Sequence, residues 1–364
     1  MNNRRPSILL GMPNVHGIYR SVADNLRYCG FDVLNLTELD NAFQYPSLFS
    51  RLGTKFRQHV LKDADAKRLV KAGSLKNTLD AKFDEFGGGV DYALFISGDV
   101  YHPRLLSFIR DYVRLDMVNY QWDGMKRFPA IWQCVREFDR FYVFDPEDLN
   151  HTGYRFLPAT NFYFDTETAA APEETAAQAP KPEEQPENGS GAIYFTGTHQ
   201  PGRAALLNRF AEYAAKAGWP LDFSLVWAVN RNMKEARQTY PGTNIRLSHT
   251  GGSFQDNLAH ARRSSVLADF LETGAHRGLS FRTFEALGYG KKLITTNPDT
   301  ARYDFYRPEN TYILTENNFD GIQAFLDTPY QAVPAGVREK YSFGNWIRYL
   351  LQMTPHQPIT LPSP

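Results

Sequence analysis

The segment that decides the fold runs Glu272-Thr-Gly-Ala-His-Arg-Gly-Leu-Ser-Phe-Arg-Thr-Phe-Glu-Ala-Leu-Gly-Tyr-Gly-Lys-Lys-Leu-Ile-Thr-Thr296. Residues 266–271 lead into it and form an apolar run short enough for a buried strand. Residues 280–287 repeat apolar side chains at helical spacing, and Gly288 follows as a stop signal. Residues 293–296 have the pattern of a second strand. The segment therefore predicts a strand–helix–strand unit, which is the building block of an α/β fold with a parallel sheet.

The turn before this predicted helix is a candidate site for an anion. Backbone N–H groups at the start of a helix point outward and favour negative charge. Glu285, one turn into the helix, can accept hydrogen bonds from a sugar or ribose diol. The other candidate ligand-binding residues in this turn are Arg277, Gly278, Ser280 and Arg282. The pattern predicts a site for a nucleotide diphosphate, although a glycine turn between a strand and a helix also occurs in α/β proteins of other functions.

A family resemblance supports this interpretation. The run Gly278-Leu-Ser-Phe-Arg-Thr-Phe-Glu-Ala-Leu-Gly-Tyr-Gly-Lys-Lys-Leu-Ile resembles the donor-site segment of GT-B glycosyltransferases, in particular the CgeB-like and lipopolysaccharide-core group. Residues 120–123 (Tyr-Gln-Trp-Asp) and 138–148 resemble the same group, so the likeness covers both halves of the chain. It implies two Rossmann-like doubly wound domains that face a cleft, and a Glu285 that holds hydroxyls of the nucleotide-sugar donor. Many retaining members carry a second Glu eight residues earlier, where this chain has Arg277, and this departure puts a retaining mechanism in doubt.

The composition bounds the class of protein. A length of 364 residues suits two domains. Forty basic and forty acidic residues cancel, which argues against a dedicated nucleic-acid binder. Cys29 and Cys134 lack metal-ligand spacing and are expected to be reduced residues of a cytoplasmic protein. No signal peptide and no run long enough to span a bilayer is apparent.

The first half of the chain reads as an N-terminal, acceptor-side domain over residues 1–165. Strands are predicted at residues 7–11, 31–36, 90–97, 117–120 and 140–144. Polar side chains that follow such strands lie where ligands of doubly wound domains bind. The candidate general bases are therefore His16, Asp99 and Asp123, with Asp123 preferred. The alternatives are a loop-packing His16 and Asp residues that only cap the next helix.

Residues 46–77 interleave basic and apolar side chains. Such a segment is typical of an amphipathic helix on an anionic membrane surface, here the inner face of the cytoplasmic membrane. The same pattern also fits a solvated helix packed by its apolar side.

The second half of the chain follows a low-complexity segment. Residues 166–190 are rich in Ala, Pro, Glu and Thr and are predicted to be a flexible linker or surface excursion. Residues 191–340 are expected to form the nucleotide-sugar-binding domain, in which a glycine loop after the first strand carries Thr198 and Arg203 as candidate donor contacts. Residues 341–364 are predicted to be a C-terminal helix and tail, and the resemblance implies that they cross back to the N-terminal domain.

The chemistry predicted for the chain is metal-independent glycosyl transfer. Arg203, Arg277, Arg282 and Lys292 are available to neutralise the leaving diphosphate. No Asp-x-Asp metal motif is apparent, and no cofactor is expected beyond a nucleotide sugar as co-substrate. The acceptor class is a glycan or a lipid-linked glycan. A sugar-nucleotide epimerase and a non-catalytic nucleotide- or glycan-binding scaffold remain the alternatives on the same fold.

Overall fold

The structure is a computed structural model that describes residues 4–63, 65–166, 191–271, 276–315 and 318–363. All of the predicted linker except residue 166, and residues 272–275 of the fold-deciding segment, lie outside this part of the chain. The chain divides into two compact units. The first contains residues up to Val15, Tyr19 to Thr160 and Gly344 onward, and the second contains His16 to Ile18 and Asn161 to Phe343.

The first unit is built on a parallel sheet. Its described strands are β1 (Ser7–Gly11), β2 (Asp32–Asn35), β3 (Val90–Ile96), β4 (Val113–Gln121), β5 (Arg140–Val143) and β6 (Leu157–Pro158). The strand order is β2-β1-β3-β4-β5-β6, with all neighbours parallel. This is the flavodoxin-like doubly wound order with one strand added, and the order reverses between β1 and β3.

Helices cover this sheet and connect its strands. They are α1 (Ile18–Tyr28), α2 (Leu36–Asn41), α3 (Leu48–His59), α4 (Ala66–Glu85) and α5 (Pro103–Arg110). The segment predicted as one basic amphipathic helix is thus two helices. The longer of them, α4, buries Leu75, Leu79 and Phe83 in the core of the unit and is a packed helix.

The second unit has its own parallel sheet. Its described strands are β7 (Ile193–Thr198), β8 (Leu221–Val226), β9 (Arg246–Ser248), β10 (Val266–Asp269), β11 (Lys292–Thr295) and β12 (Thr311–Ile313). The order is β12-β11-β10-β7-β8-β9, which is the Rossmann order of two three-strand halves. The order reverses between β7 and β10, and ligands of such sheets bind outside the carboxyl ends of the strands at that point.

The helices of the second unit complete the doubly wound pattern. They are α6 (Pro201–Ala217), α7 (Met233–Thr239), α8 (Phe254–Arg263), α9 (Phe281–Gly288), α10 (Ile322–Asp327) and α11 (Ala335–Lys340). The predicted strand–helix–strand unit is therefore present as β10, α9 and β11. The prediction of two Rossmann-like domains is confirmed.

Each unit has a separate hydrophobic core. In the first, Leu9, Phe95 and Met117 are fully buried between the sheet and the helices. In the second, Phe210 and Phe223 stack with ring centroids 5.7 Å apart. A last helix, α12 (Phe343–Leu350), places Trp346 edge-on against Tyr120 of β4, and from Gly344 onward the chain is grouped with the first unit. No helix in the described ranges is long and apolar enough to cross a bilayer.

Candidate functional site

The residues of the candidate site meet at the reversal point of the second sheet. Arg203, in the first turn of α6, donates through Nη1 to the carbonyl of Phe270 (2.9 Å) and through Nη2 to the carbonyl of Thr198. Its guanidinium also lies over the ring of Phe195, 5.3 Å from the centroid. Arg203 therefore fastens the loop after β7 to the loop after β10, which are the two loops that flank the reversal point.

Gly197 makes room for this arginine. A Cβ at Gly197 would lie 3.1 Å from Nη2 of Arg203 and 3.3 Å from the Phe195 ring, which is tighter than ordinary van der Waals contact. The glycine of the predicted loop is thus needed for close approach of a side chain of the protein itself. Thr198 next to it is exposed at the carboxyl end of β7.

The start of α9 is joined to the end of β10 through a serine. Ser280 is the N-cap of α9, and its hydroxyl accepts a hydrogen bond from the backbone N–H of Arg282 (3.2 Å). Ser280 also hydrogen-bonds Asp269, the last residue of β10. The predicted residues Ser280 and Arg282 therefore lie beside an aspartate that sequence reasoning missed.

Asp269 is a buried carboxylate that is only partly hydrogen-bonded by the described residues. Its Oδ2 is buried and has no hydrogen-bond partner within the described part of the chain. Burial raises the pKa of Asp269, while the bond from Ser280 and the charge of Arg282 oppose this effect. Because buried carboxylate oxygens are normally hydrogen-bonded, the unpaired Oδ2 marks a place for a ligand hydroxyl or a water molecule. The one sequence signal was an Asp at the end of a buried strand.

Glu285 forms a close ion pair with Arg282. Arg282 Nη1 lies 2.5 Å from Glu285 Oε2, and the guanidinium stacks over the ring of Tyr194 at 4.8 Å. Burial raises the pKa of Glu285, the charges of Arg282 and Arg262 lower it, and the charge of Asp269 raises it. Two buried acids and Arg282 therefore behave as one electrostatic group at the start of α9. Such clusters of perturbed groups are typical of functional sites.

Arg277 and Gly278 lie just before α9 and are held by the loop after β11. Arg277 makes a two-point ion pair with Asp299 at 2.7 and 2.9 Å, which lowers the pKa of that carboxyl group. Asn297 donates to the backbone carbonyl of Arg277 (3.2 Å), and the Gly278 carbonyl lies 2.9 Å from Nδ1 of His276. Arg277 is thus oriented by an acid and keeps a partly exposed guanidinium.

Lys292 is placed differently from the other predicted donor-binding residues. Its ammonium group donates to the backbone carbonyls of Leu326 (3.0 Å), Phe325 and Thr328 at the C-terminal end of α10. These carbonyls carry the negative end of the helix dipole and use all three donors of the lysine. Lys292 therefore caps a helix, and we leave it out of the proposed donor site.

The three candidate bases have different surroundings. Asp99 follows β3 and is buried, which raises its pKa to about 6 against the opposing charge of Arg68. Its Oδ1 has no partner among the described residues. Asp123 accepts from the N–H of Gly124 (2.9 Å) and forms an ion pair with Arg127 at 3.2 Å. The carboxylate of Asp123 is thus already engaged, whereas Asp99 has an oxygen without a partner among the described residues, so the geometry favours Asp99 over Asp123 as the base.

His16 was expected to act from the first domain, but its contacts group it with the second unit. Its carbonyl accepts from the N–H of Phe254 at the start of α8 (2.8 Å). Its ring would lie 2.6 Å from a Cβ at Gly251, so the glycine allows the two segments to touch. The left-handed backbone of His16 (φ +50°) turns the chain at this point.

Other buried polar groups that sequence reasoning did not select lie, like Asp99, near the carboxyl ends of β3 and β4. Ser97, Asn119 and Gln121 are buried near the carboxyl ends of β3 and β4. Ser97 Oγ, Asn119 Nδ2 and both polar atoms of the Gln121 amide have no partner in the described ranges. Ser97 also has a left-handed backbone (φ +52°), which is uncommon for a residue other than glycine. This concentration of unpaired polar atoms fits ordered water or ligand hydroxyls around Asp99.

Within the described residues, no three His, Cys, Asp or Glu side chains are grouped so as to hold a metal ion.

Comparison with known proteins gives matches only among solved structures. The chain matches no protein-family profile and no curated protein sequence. It is similar to a putative UDP-N-acetylglucosamine 2-epimerase from Listeria monocytogenes (12% identity, 98% of this chain and 100% of that chain, TM-score 0.47). It is also similar to an alpha-glucosyltransferase in complex with UDP (8% identity, 96% of this chain and 96% of that chain, TM-score 0.48). A third similar structure is the E. coli heptosyltransferase WaaC with ADP (9% identity, 80% of this chain and 86% of that chain, TM-score 0.36). At these identities the likeness concerns the fold alone.

Proposed function

We propose that the chain is a glycosyltransferase that moves a sugar from a nucleotide-sugar donor to a glycan or lipid-linked acceptor in bacterial lipopolysaccharide or surface polysaccharide biosynthesis. The observation that carries the proposal is the group formed by Asp269, Ser280, Arg282 and Glu285 at the reversal point of a Rossmann-type sheet. The resemblance of residues 278–294 to a donor-site segment supports the same assignment.

The donor diphosphate would lie at the start of α9. The N–H groups of that turn and the guanidinium of Arg277 supply positive potential for the leaving group. Asp269, with its unpaired oxygen, and Glu285 would accept hydroxyl hydrogens of the ribose or the sugar. Arg203 would position the donor site indirectly, because it holds the loops after β7 and β10 together.

Asp99 would serve as the base that removes the proton from the acceptor hydroxyl. A base works best when its pKa lies near the working pH, and burial brings the pKa of Asp99 to about 6. Asp123 is the second choice, because its carboxylate already forms an ion pair with Arg127.

The first test is a thermal-shift screen of the full chain with UDP, GDP, CMP, dTDP and ADP and their sugars. A ligand at about 100 times its dissociation constant stabilises the folded state by about 2.7 kcal/mol. We expect one nucleotide to raise the melting temperature. The rise should be lost in Glu285→Gln, because the amide lacks the negative charge that pairs with Arg282 and accepts hydroxyl hydrogens of the donor. Glu212→Gln, on the exposed side of α6, is the matched control and should respond as the wild type. An unchanged response of Glu285→Gln, or no response to any nucleotide, would contradict the donor site.

An epimerase acting on a sugar nucleotide is the second candidate. It is favoured by one observation, since Asp269 and Glu285 both have raised pKa values and lie at a single site. Proton NMR of the donor with enzyme and without acceptor separates the two functions, because only an epimerase changes the configuration of the intact sugar nucleotide.

A further inference from the structure

Helix α3 exposes a continuous apolar face. Six large apolar side chains on the helix and the turn after it are between 56% and 87% exposed. They are Leu48, Phe49, Leu52, Phe56, Val60 and Leu61. Four of them recur every fourth residue, which places them on one side of the helix. Soluble proteins rarely expose so many large apolar side chains together, unless they form an interaction site.

The opposite side of α3 attaches the helix to the protein. Thr54 is the buried residue of α3, and it lies about half a turn away from the apolar face. The neighbouring helix α4 turns its own apolar side chains into the core and uses Arg68 and Lys71 in ion pairs with Asp65 and Asp40. Among the described residues of α3, α4 and the turn between them, the exposed large apolar side chains therefore lie on α3 and that turn.

The charge of this segment is entirely positive. Residues 46–62 contain Arg51, Lys55, Arg57 and Lys62 and no acidic residue. Arg57 forms an ion pair with Asp63, whereas Arg51, Lys55 and Lys62 have no ion-pair partner among the described residues. Lys55 and Arg51 lie along one edge of the apolar face and Arg57 lies beyond its other edge, as the helical spacing requires.

We propose that α3 and the turn after it dock onto an anionic lipid surface. The apolar side chains would enter the boundary between headgroups and acyl chains, and the basic side chains would lie at the level of the anionic headgroups. A protein partner fits less well, because the cores of protein interfaces are depleted of charge and this segment flanks its apolar face with unpaired cations. The inference stands apart from the proposed function, because no residue of α3 belongs to the candidate site.

Vesicle co-sedimentation of the full chain tests this proposal. The vesicles are phosphatidylcholine alone, or phosphatidylcholine with roughly one-third phosphatidylglycerol. We expect binding to the anionic vesicles and a loss on the order of tenfold or more in Phe49→Ser/Leu52→Ser/Phe56→Ser, since three exposed side chains no longer enter the lipid. The variant Arg51→Gln/Lys55→Gln should bind more weakly and with less dependence on salt.

Leu115→Ser/Val229→Ser is the matched control, because it removes two other exposed apolar side chains and should bind vesicles as the wild type does. Absence of wild-type binding to anionic vesicles would overturn the proposal. Equal binding of the triple-serine variant and the wild type would also overturn it. So would a wild type that is oligomeric and a triple-serine variant that is monomeric, if neither binds vesicles. Nucleotide binding by the triple-serine variant should be unchanged, so a failure here leaves the proposed function standing.

Discussion

Three buried carboxyl groups carry the chemical argument at the scale of single residues. Asp99, Asp269 and Glu285 each have a pKa raised by burial. A buried acid that is not fully hydrogen-bonded lowers the stability of the folded state, and proteins retain such groups chiefly at functional sites. The cost of ionising these acids should therefore be measurable as a dependence of stability on pH.

Replacement of Asp99 by Asn should stabilise the protein at pH 8. The folded-state pKa of Asp99 is raised from 3.8 to about 6, so its ionisation destabilises the fold increasingly as pH rises through that interval. This difference in pKa corresponds to about 3 kcal/mol, which is an upper limit for the increase in the free energy of unfolding in Asp99→Asn. Below pH 3.8 the two proteins should be equally stable. Urea denaturation at several pH values measures the difference.

Asp148→Asn is the control for this experiment. Burial also raises the pKa of Asp148 to about 6, but Asp148 accepts a hydrogen bond from the N–H of Met125 (3.0 Å). Both variants should gain stability at high pH, and only Asp99→Asn should lower the rate of transfer, by roughly 10²- to 10⁴-fold. Equal activity of the two variants would remove Asp99 from the proposed mechanism.

At the scale of the elements, local sequence patterns predicted the helices and strands whose ends are set by short-range interactions. The unit formed by β10, α9 and β11 was predicted to within two residues at each end, because its apolar spacing and its glycine stops are short-range signals. Residues 129–137 have no such glycine stop and form two short 3-10 turns, Pro129–Gln133 and Val135–Glu137, rather than one α-helix. Pro129 keeps the preceding residue, Phe128, out of the helical region (φ −126°, ψ 68°), and so fixes where the first of these turns begins.

The direction of a long side chain was not predictable from such patterns. The charge of Lys292 makes it a sequence candidate for neutralising the leaving diphosphate, yet its ammonium group lies against the end of α10. Lys292→Met should lower the free energy of unfolding by about 2 kcal/mol, because three carbonyl groups lose a charged donor. Nucleotide affinity should be unchanged, which titration calorimetry measures.

Lys291→Met serves as the control, since Lys291 lies next to Lys292 but, of the two lysines, only Lys292 donates to the carbonyl groups at the end of α10 in the described part of the chain. It should affect stability less than Lys292→Met does. A loss of nucleotide affinity in Lys292→Met beyond the loss in Lys291→Met would return Lys292 to the donor site.

At the scale of the whole molecule, the order of the strands creates the site. Sequence alternation predicted two doubly wound domains, but it gave no means of ordering the strands within each sheet. The order places β7 beside β10, so the loops after these strands meet, and Arg203 donates to the carbonyls of both Thr198 and Phe270 although these lie far apart in the chain. Asp269 was missed because local patterns do not show which strands are neighbours. The contacts of His16 with Gly251 and Phe254 are likewise between segments far apart in the chain.

The most direct test of the donor site is a crystal structure of the full chain with the nucleoside diphosphate that gives the largest thermal shift. The account predicts diphosphate oxygens within hydrogen-bond distance of the backbone N–H groups at the start of α9. It also predicts a hydroxyl of the ribose or sugar on Asp269 or Glu285. A nucleotide bound at the carboxyl edge of the first sheet, or away from the reversal point of the second, would contradict the central claim.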